Sequence, residues 1–145
     1  MNVGDAGTCD GEADMPLERR YGSELMLDMI DCDPATFSRE SIDAFFTKCC
    51  EVTNMVRVVV HFWDEGRFEL SNADHVAGIS AVCFIETSNM TIHALDRLKE
   101  VYLNIFTCSD FKPEDVESLA REWFGARLCT SRFLIRGGLE ALQDA

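Results

Sequence analysis

No apolar run in this 145-residue sequence approaches the roughly 20 residues that a membrane-spanning helix requires, so no such helix is expected. Positive charge is scarce: 13 Lys and Arg stand against 26 Asp and Glu, a formal net charge of −13. A nucleic-acid backbone or an anionic bilayer would repel such a chain at long range, which argues against both as partners. The seven cysteines, Cys9, Cys32, Cys49, Cys50, Cys83, Cys108 and Cys129, include no Cys-x-x-Cys pair. His61, His75 and His93 also lack ligand spacing, so a metal site is not expected and the thiols read as reduced. The N-terminus has no basic stretch followed by an apolar one, the layout of a secretory signal. These absences together predict a cytoplasmic protein, and they leave the sequon Asn89-Met90-Thr91 without consequence.

Hydrophobic residues make up 47% of the chain and charged residues 27%, the composition of an ordinary globular protein, and the length suits one core. Residues 1–16 hold four acids, no Lys or Arg, and little apolar periodicity. Burial there would not offset the entropy of ordering, so a flexible acidic tail is expected, followed by a single domain over residues 17–145.

Leu25, Leu27 and Met29 fall on one face of an extended segment, and Glu24, Met26, Asp28 and Ile30 on the other, which predicts a first strand. Asp31-Cys32-Asp33-Pro34 breaks it. Ile42, Phe45, Phe46, Cys49 and Cys50 then recur at helical spacing, with Ser38 as a cap. Further strands are predicted from Val56 to Trp63, Ile79 to Ile85, Met90 to Leu95, Val101 to Cys108 and Leu128 to Ile135. Asp64-Glu65-Gly66 turns out of the second strand, a polar loop lies around Ser71 to Asp74, and Glu86-Thr87-Ser88-Asn89 forms a tight turn. A second helix opens at Pro113, buries Val116, Leu119, Ala120, Trp123 and Phe124, and ends at Gly125. This order has too few helices for a doubly wound sheet. It predicts an α+β two-layer sandwich, a mainly antiparallel sheet with two helices on one face. The other face would carry Phe62, Phe84 and Phe106, an apolar patch suited to a ligand or a second subunit.

Ser80, Ser88, His93 and Cys108 fall on neighbouring strands or the turn between them, and each can act as nucleophile, acid or base. Taken singly, each is more simply a local cap, a satisfied polar group or packing. Four segments in order change that reading. Tyr21-Gly22-Ser23-Glu24-Leu25 with Asp31-Cys32-Asp33, Gly78-Ile79-Ser80-Ala81-Val82, Thr87-Ser88-Asn89-Met90-Thr91-Ile92-His93 and Ile105-Phe106-Thr107-Cys108 together resemble the short prokaryotic, pyruvoyl-dependent form of S-adenosylmethionine decarboxylase.

The resemblance implies that the chain is a zymogen that cuts itself between Thr87 and Ser88, leaving a covalent pyruvoyl group derived from Ser88. Its ketone would form a Schiff base with the substrate amine and act as electron sink for decarboxylation. His93 would promote the elimination that completes the cut, Ser80 would stabilise the rearranging intermediate, and Cys108 would return a proton to the product. Glu24 is weighed evenly between a substrate contact and a solvent-facing strand carboxylate. Phe62, Trp63 and Phe68 are candidates for stacking on adenine. The implied product feeds spermidine synthesis, and a homodimer of processed subunits is implied as well.

The sequence departs from the family pattern at several places. Thr87 stands where Glu is common, Asn89 where His follows the serine, Glu24 where the first strand carries His, and Ser109 where Gly follows the cysteine. The usual Trp-Pro-Glu after the processing histidine is replaced by Ala94-Leu95-Asp96-Arg97, so that Asp96, the substrate-contacting carboxylate by resemblance, comes one place early. Two alternatives therefore stand beside the leading reading: the same chemistry on another amino acid, ornithine or arginine, and a catalytically silent relative that regulates an active subunit. A cysteine hydrolase built on Cys108 and His93 is disfavoured, because nothing resembles an oxyanion hole.

Overall fold

The computed structural model describes residues 20–64 and 77–138. The chain runs β1 (Gly22–Ile30), a 3-10 turn (Pro34–Thr36), α1 (Arg39–Thr53), β2 (Arg57–Trp63), β3 (Gly78–Ile85), β4 (Ser88–Leu95), β5 (Glu100–Thr107), α2 (Pro113–Phe124) and β6 (Leu128–Arg136). The strands form one antiparallel sheet in the order β2-β3-β4-β5-β1-β6, with the chain returning to place β1 between β5 and β6. The predicted tail, the Ser71 to Asp74 loop, residues 65 and 66 of the predicted turn, and Phe68 lie outside the described residues.

Local chemistry sets the element ends. Ser38 caps α1 by accepting from the Ser41 amide at 3.1 Å, and Asn54 closes the helix in the left-handed region at φ 55°. Pro113 opens α2 with Glu114 and Asp115 in its first turn, where the helix dipole favours acids, and Gly125 ends it at φ 64°. The interior lies between the helices and one sheet face. Phe45 stacks its ring 5.0 Å from Phe124 and 5.9 Å from Trp123, all over Leu25, Leu27, Ile92, Leu103 and Ile105. The Trp123 indole N–H donates to Ser41 Oγ at 3.1 Å, tying the two helices together.

One expectation fails at β2. The register shifts between Arg57 and Val59, a bulge that leaves Val58 without a partner and inverts the alternation beyond it. Arg57 faces the helices, where it bonds Asp43 and Thr47 of α1. Phe62 follows it to that side, half-buried against the core, with the Arg39 guanidinium 5.4 Å from its ring centre. The open face thus holds Val59, His61 and Trp63 in place of Phe62, beside Phe84 and Phe106 as predicted.

Two acids of β1 on that open face pair with arginines of the edge strand β6: Glu24 with Arg136 at 2.6 Å and Asp28 with Arg132 at 3.7 Å. Asp31, just past β1, adds a third pair with Arg127 at 2.9 Å. The repeated diagonal offset fixes the β1–β6 register.

Phe45 has no solvent exposure and contacts both helices' aromatic residues. Phe45→Ala is expected to lower the unfolding free energy by about 3–5 kcal/mol, measured by urea denaturation with an unchanged slope.

Candidate active site

Ile85 and Ser88 face each other across β3 and β4, so the hairpin turn consists of Glu86 and Thr87 alone. The sequence places Ser88 and Asn89 in that turn; in the structure both are already strand residues. Thr87 sits at φ 58°, in the left-handed region where β-branched side chains are rarely found. Glycine is the usual occupant of such a position, and holding threonine there stores on the order of 1–3 kcal/mol. The turn is anchored by the Glu86 amide, which donates to the Val56 carbonyl at 3.0 Å.

The peptide that follows Thr87 is flanked by hydroxyls. Ser88 is buried on the helix side, and its Oγ donates to Thr107 Oγ1 at 3.1 Å while accepting the Cys108 amide at 3.3 Å. Thr107 Oγ1 also accepts the Ser109 amide at 3.0 Å. Ser23, paired with Thr107 across β1 and β5, completes a row of three buried hydroxyl residues at this end of the sheet. Gly22 permits the close approach: a Cβ there would lie 2.1 Å from the Thr107 carbonyl oxygen. Thr107 and Ser23 sit within the quoted segments of resemblance, yet periodicity marks them only as inward-facing strand positions.

Cys108 follows β5 directly and is exposed, with its sulfur 3.1 Å from Thr87 Oγ1. The interior thiols differ in kind. Burial pushes Cys32 up to about 11 and Cys49 up to about 12, and contact with Cys50 together with burial raises Cys83 further. Burial disfavours the thiolate at these three positions, all remote from solvent, whereas Cys108 is the exposed thiol set at the turn. A cavity of about 240 Å³ opens beside it, lined by Tyr21, Ser23, Cys108, Ser109 and Phe111 among others.

Ser80 and His93 form a second cluster. They face each other across β3 and β4 on the open side of the sheet, Ser80 Oγ 2.8 Å from His93 Nδ1. They border an apolar hollow of about 330 Å³ that includes His61, Trp63 and Thr91. The sequence suggests that β4 folds the His93 imidazole back toward the turn; the structure does not do this. Ser88 and His93 are five residues apart on one extended strand, an odd number that puts them on opposite faces. At about 3.3 Å per residue they are separated by about 16 Å.

Of the remaining candidates, Glu24 lies half-buried on the open face, next to Phe106 in register and paired with Arg136, whose guanidinium stacks 5.2 Å from the Phe106 ring. Asp96 lies in the turn after β4, at the end of the sheet remote from Ser88, with its amide on the Ala77 carbonyl. Trp63 is 71% exposed on the open face, whereas Phe62 is turned toward the helices. No group of three or more His, Cys, Asp or Glu among the described residues is arranged to hold a metal ion. No helix among them is long and apolar enough to cross a membrane.

Comparison with known proteins adds three findings. The crystal structure of the adenosylmethionine decarboxylase from Aquifex aeolicus VF5 superimposes with a TM-score of 0.67 at 16% identity, over 82% of this chain and 92% of that one. That likeness establishes the shared sheet-and-helix fold. No curated protein matches the sequence. A family model described as S-adenosylmethionine decarboxylase matches residues 23–137, a span that includes the Thr87 turn, both clusters and all six strands but the first residue of β1. The chain therefore belongs to the S-adenosylmethionine decarboxylase family.

Proposed function

We propose that the chain is a self-processing decarboxylase of S-adenosylmethionine, cut between Thr87 and Ser88. The observation that carries this reading is the placement of Ser88: a hydroxyl fixed by Thr107 and the Cys108 amide, immediately after a residue held in the left-handed region. Strain in the turn raises the energy of the peptide to be consumed. The Ser88 hydroxyl attacks the Thr87 carbonyl carbon, and the C–N bond breaks to leave an ester and a free amine. Loss of the Ser88 Cα proton then expels the Thr87 carboxylate, and water converts the remaining enamine to a ketone with release of ammonia.

The residues around Ser88 fit a pyruvoyl group formed in this way. The buried row of Ser23 and Thr107 offers hydroxyls at the new terminus, and the adjoining cavity leaves room beside Cys108. Such a group supplies an electron sink for a substrate amine, as pyridoxal phosphate does in other enzymes. Cys108 stands at the rim of that cavity, placed to return a proton to the product. Decarboxylated S-adenosylmethionine would serve as aminopropyl donor for spermidine synthesis.

The second cluster belongs in the same site only if another copy of the chain delivers it. The open sheet face carries Val59, Trp63, Phe84, Leu128 and Leu134, each at least 40% exposed, and such a surface favours burial against a partner. In such a dimer, a two-fold axis running across the strands near Thr91 would lay the Asn89 end of one sheet over the His93 row of the other. His93 of the partner subunit then approaches the cut turn. With Nδ1–H donating to Ser80 Oγ of its own chain, Nε2 presents a lone pair able to take the Ser88 Cα proton. A free terminus at the strand end is no longer bound to the helix-side face by a preceding residue. Trp63 on the open face is the aromatic platform suited to adenine, with Asp96 and Glu24 as the carboxylates for the ribose and the substrate's charge.

Purified chain is expected to separate into pieces of 87 and 58 residues, the smaller blocked to N-terminal sequencing and reactive to carbonyl reagents, with Ser88→Ala abolishing the cut. Persistently intact wild-type chain would favour the silent relative. Carbon dioxide release from labelled S-adenosylmethionine is expected to exceed that from ornithine or arginine by orders of magnitude; a reversed order would assign the chemistry to another amino acid. Ser88→Ala and His93→Ala chains are each expected to be inactive, and co-expressed they should regain about a quarter of wild-type activity, because half the dimers are mixed and each mixed dimer holds one intact site. No recovery would place the two clusters in separate roles.

A further inference from the structure

We infer that the Thr87 hydroxyl is a positioning group that holds the Cys108 thiol against the peptide to be cut and thereby sets the rate of self-cleavage. The inference rests on the self-cleavage reading above and assigns a task to the side chain before the cut. Thr87 Oγ1 lies 2.7 Å from the Glu86 carbonyl oxygen and 3.1 Å from Cys108 Sγ. A carbonyl only accepts, and a hydroxyl has one proton, so Thr87 donates to Glu86 and must accept at the sulfur. Cys108 is thus the donor, with S–H pointing at Thr87 Oγ1. Its backbone amide at the same time donates to Ser88 Oγ at 3.3 Å. Residue 108 therefore grips both sides of one bond, the thiol on residue 87 and the amide on residue 88.

This geometry bears on a particular proton. In the acyl shift the Ser88 hydroxyl loses its proton as the new C–O bond forms, and the Ser88 nitrogen must gain one as the C–N bond breaks. A protonated thiol held at residue 87 would supply the second by turning its S–H from Thr87 Oγ1 to the Ser88 nitrogen, and the proton shed by Ser88 would restore the thiol, so the step is balanced without any other reactant. Thr87 is an exposed turn residue, so its oxygen can be removed at little cost to core packing. The β-branch accounts for the strain at φ 58°; the oxygen accounts for the hold on Cys108.

The test is the half-time of cleavage of freshly made chain, followed by intact mass. Thr87→Val keeps the branch and loses the oxygen, and is expected to slow cleavage about tenfold, the effect of one modest hydrogen bond on a rate. Thr87→Ser keeps the oxygen and is expected to cut within about threefold of wild type. In a Cys108→Ala background, already slow, adding Thr87→Val is expected to change the rate less than twofold, because Thr87 acts through the sulfur. Equal rates for the Val and Ser variants, or a full tenfold loss retained in the Cys108→Ala background, would overturn the inference. Should Cys108→Ala not cut at all, the Val-to-Ser ratio decides. Wild-type chain that never cuts would instead overturn the self-cleavage reading itself, and this inference with it.

Discussion

The pleat of β4 divides the chemistry of this protein between two surfaces. Successive residues of an extended strand point to opposite faces, and Ser88 and His93 are separated by an odd number of residues. Ser88 is consequently turned to the helix side among buried hydroxyls, while His93 stands on the open side with Ser80. No rotamer change bridges the gap. The candidate residues therefore form two clusters, one at the end of the sheet and one in the middle of the face that the described helices leave open, and the dimer proposed above is what would bring them together.

At the sheet's end the governing requirement is that buried polar groups be satisfied. Ser88, Thr107 and Ser23 lie in one buried cross-strand row, where Ser88 and Thr107 find their partners within the protein. Thr107 accepts from Ser88 and from the Ser109 amide, and the Cys108 amide is committed to Ser88. These bonds fix the Ser88 rotamer, the kind of preorganisation that the proposed self-cleavage would draw on. Gly22 contributes by omission: only a residue without Cβ lets β1 run so near the Thr107 carbonyl.

Much of this was legible from residue order because the signals were local. The alternation from Glu24 to Ile30, the helical stripe through Phe45 and Cys49, the Ser38 cap and the Pro113-to-Gly125 span all reflect spacing along the chain, and the structure has each of them. The two-layer α+β arrangement followed from their order. The bulge at Val58 was not legible, since a single inserted residue leaves no mark in a β-branched run, and with it the facing of Phe62 was lost. The candidate site was legible as a set of residue types. Its geometry was not, because the contacts of Ser88 with Thr107 and Cys108 join positions 19 and 20 residues apart, which only strand pairing brings together. The left-handed conformation of Thr87 was hidden for a related reason: turn statistics would assign that position to glycine.

The arginines of β6 bear on how copies of this chain can associate. A sheet edge left unpaired can in principle grow by adding strands from other molecules, and among the described residues β6 is a border strand that is long and largely exposed. Arg132 and Arg136 of β6, and Arg127 just before it, are bound back to Asp28, Glu24 and Asp31, which ties the border strand to β1 and the residue after it. An incoming hydrophobic strand would have to lie against those ion pairs and desolvate them, a cost that works against open-ended growth by strand addition at this border.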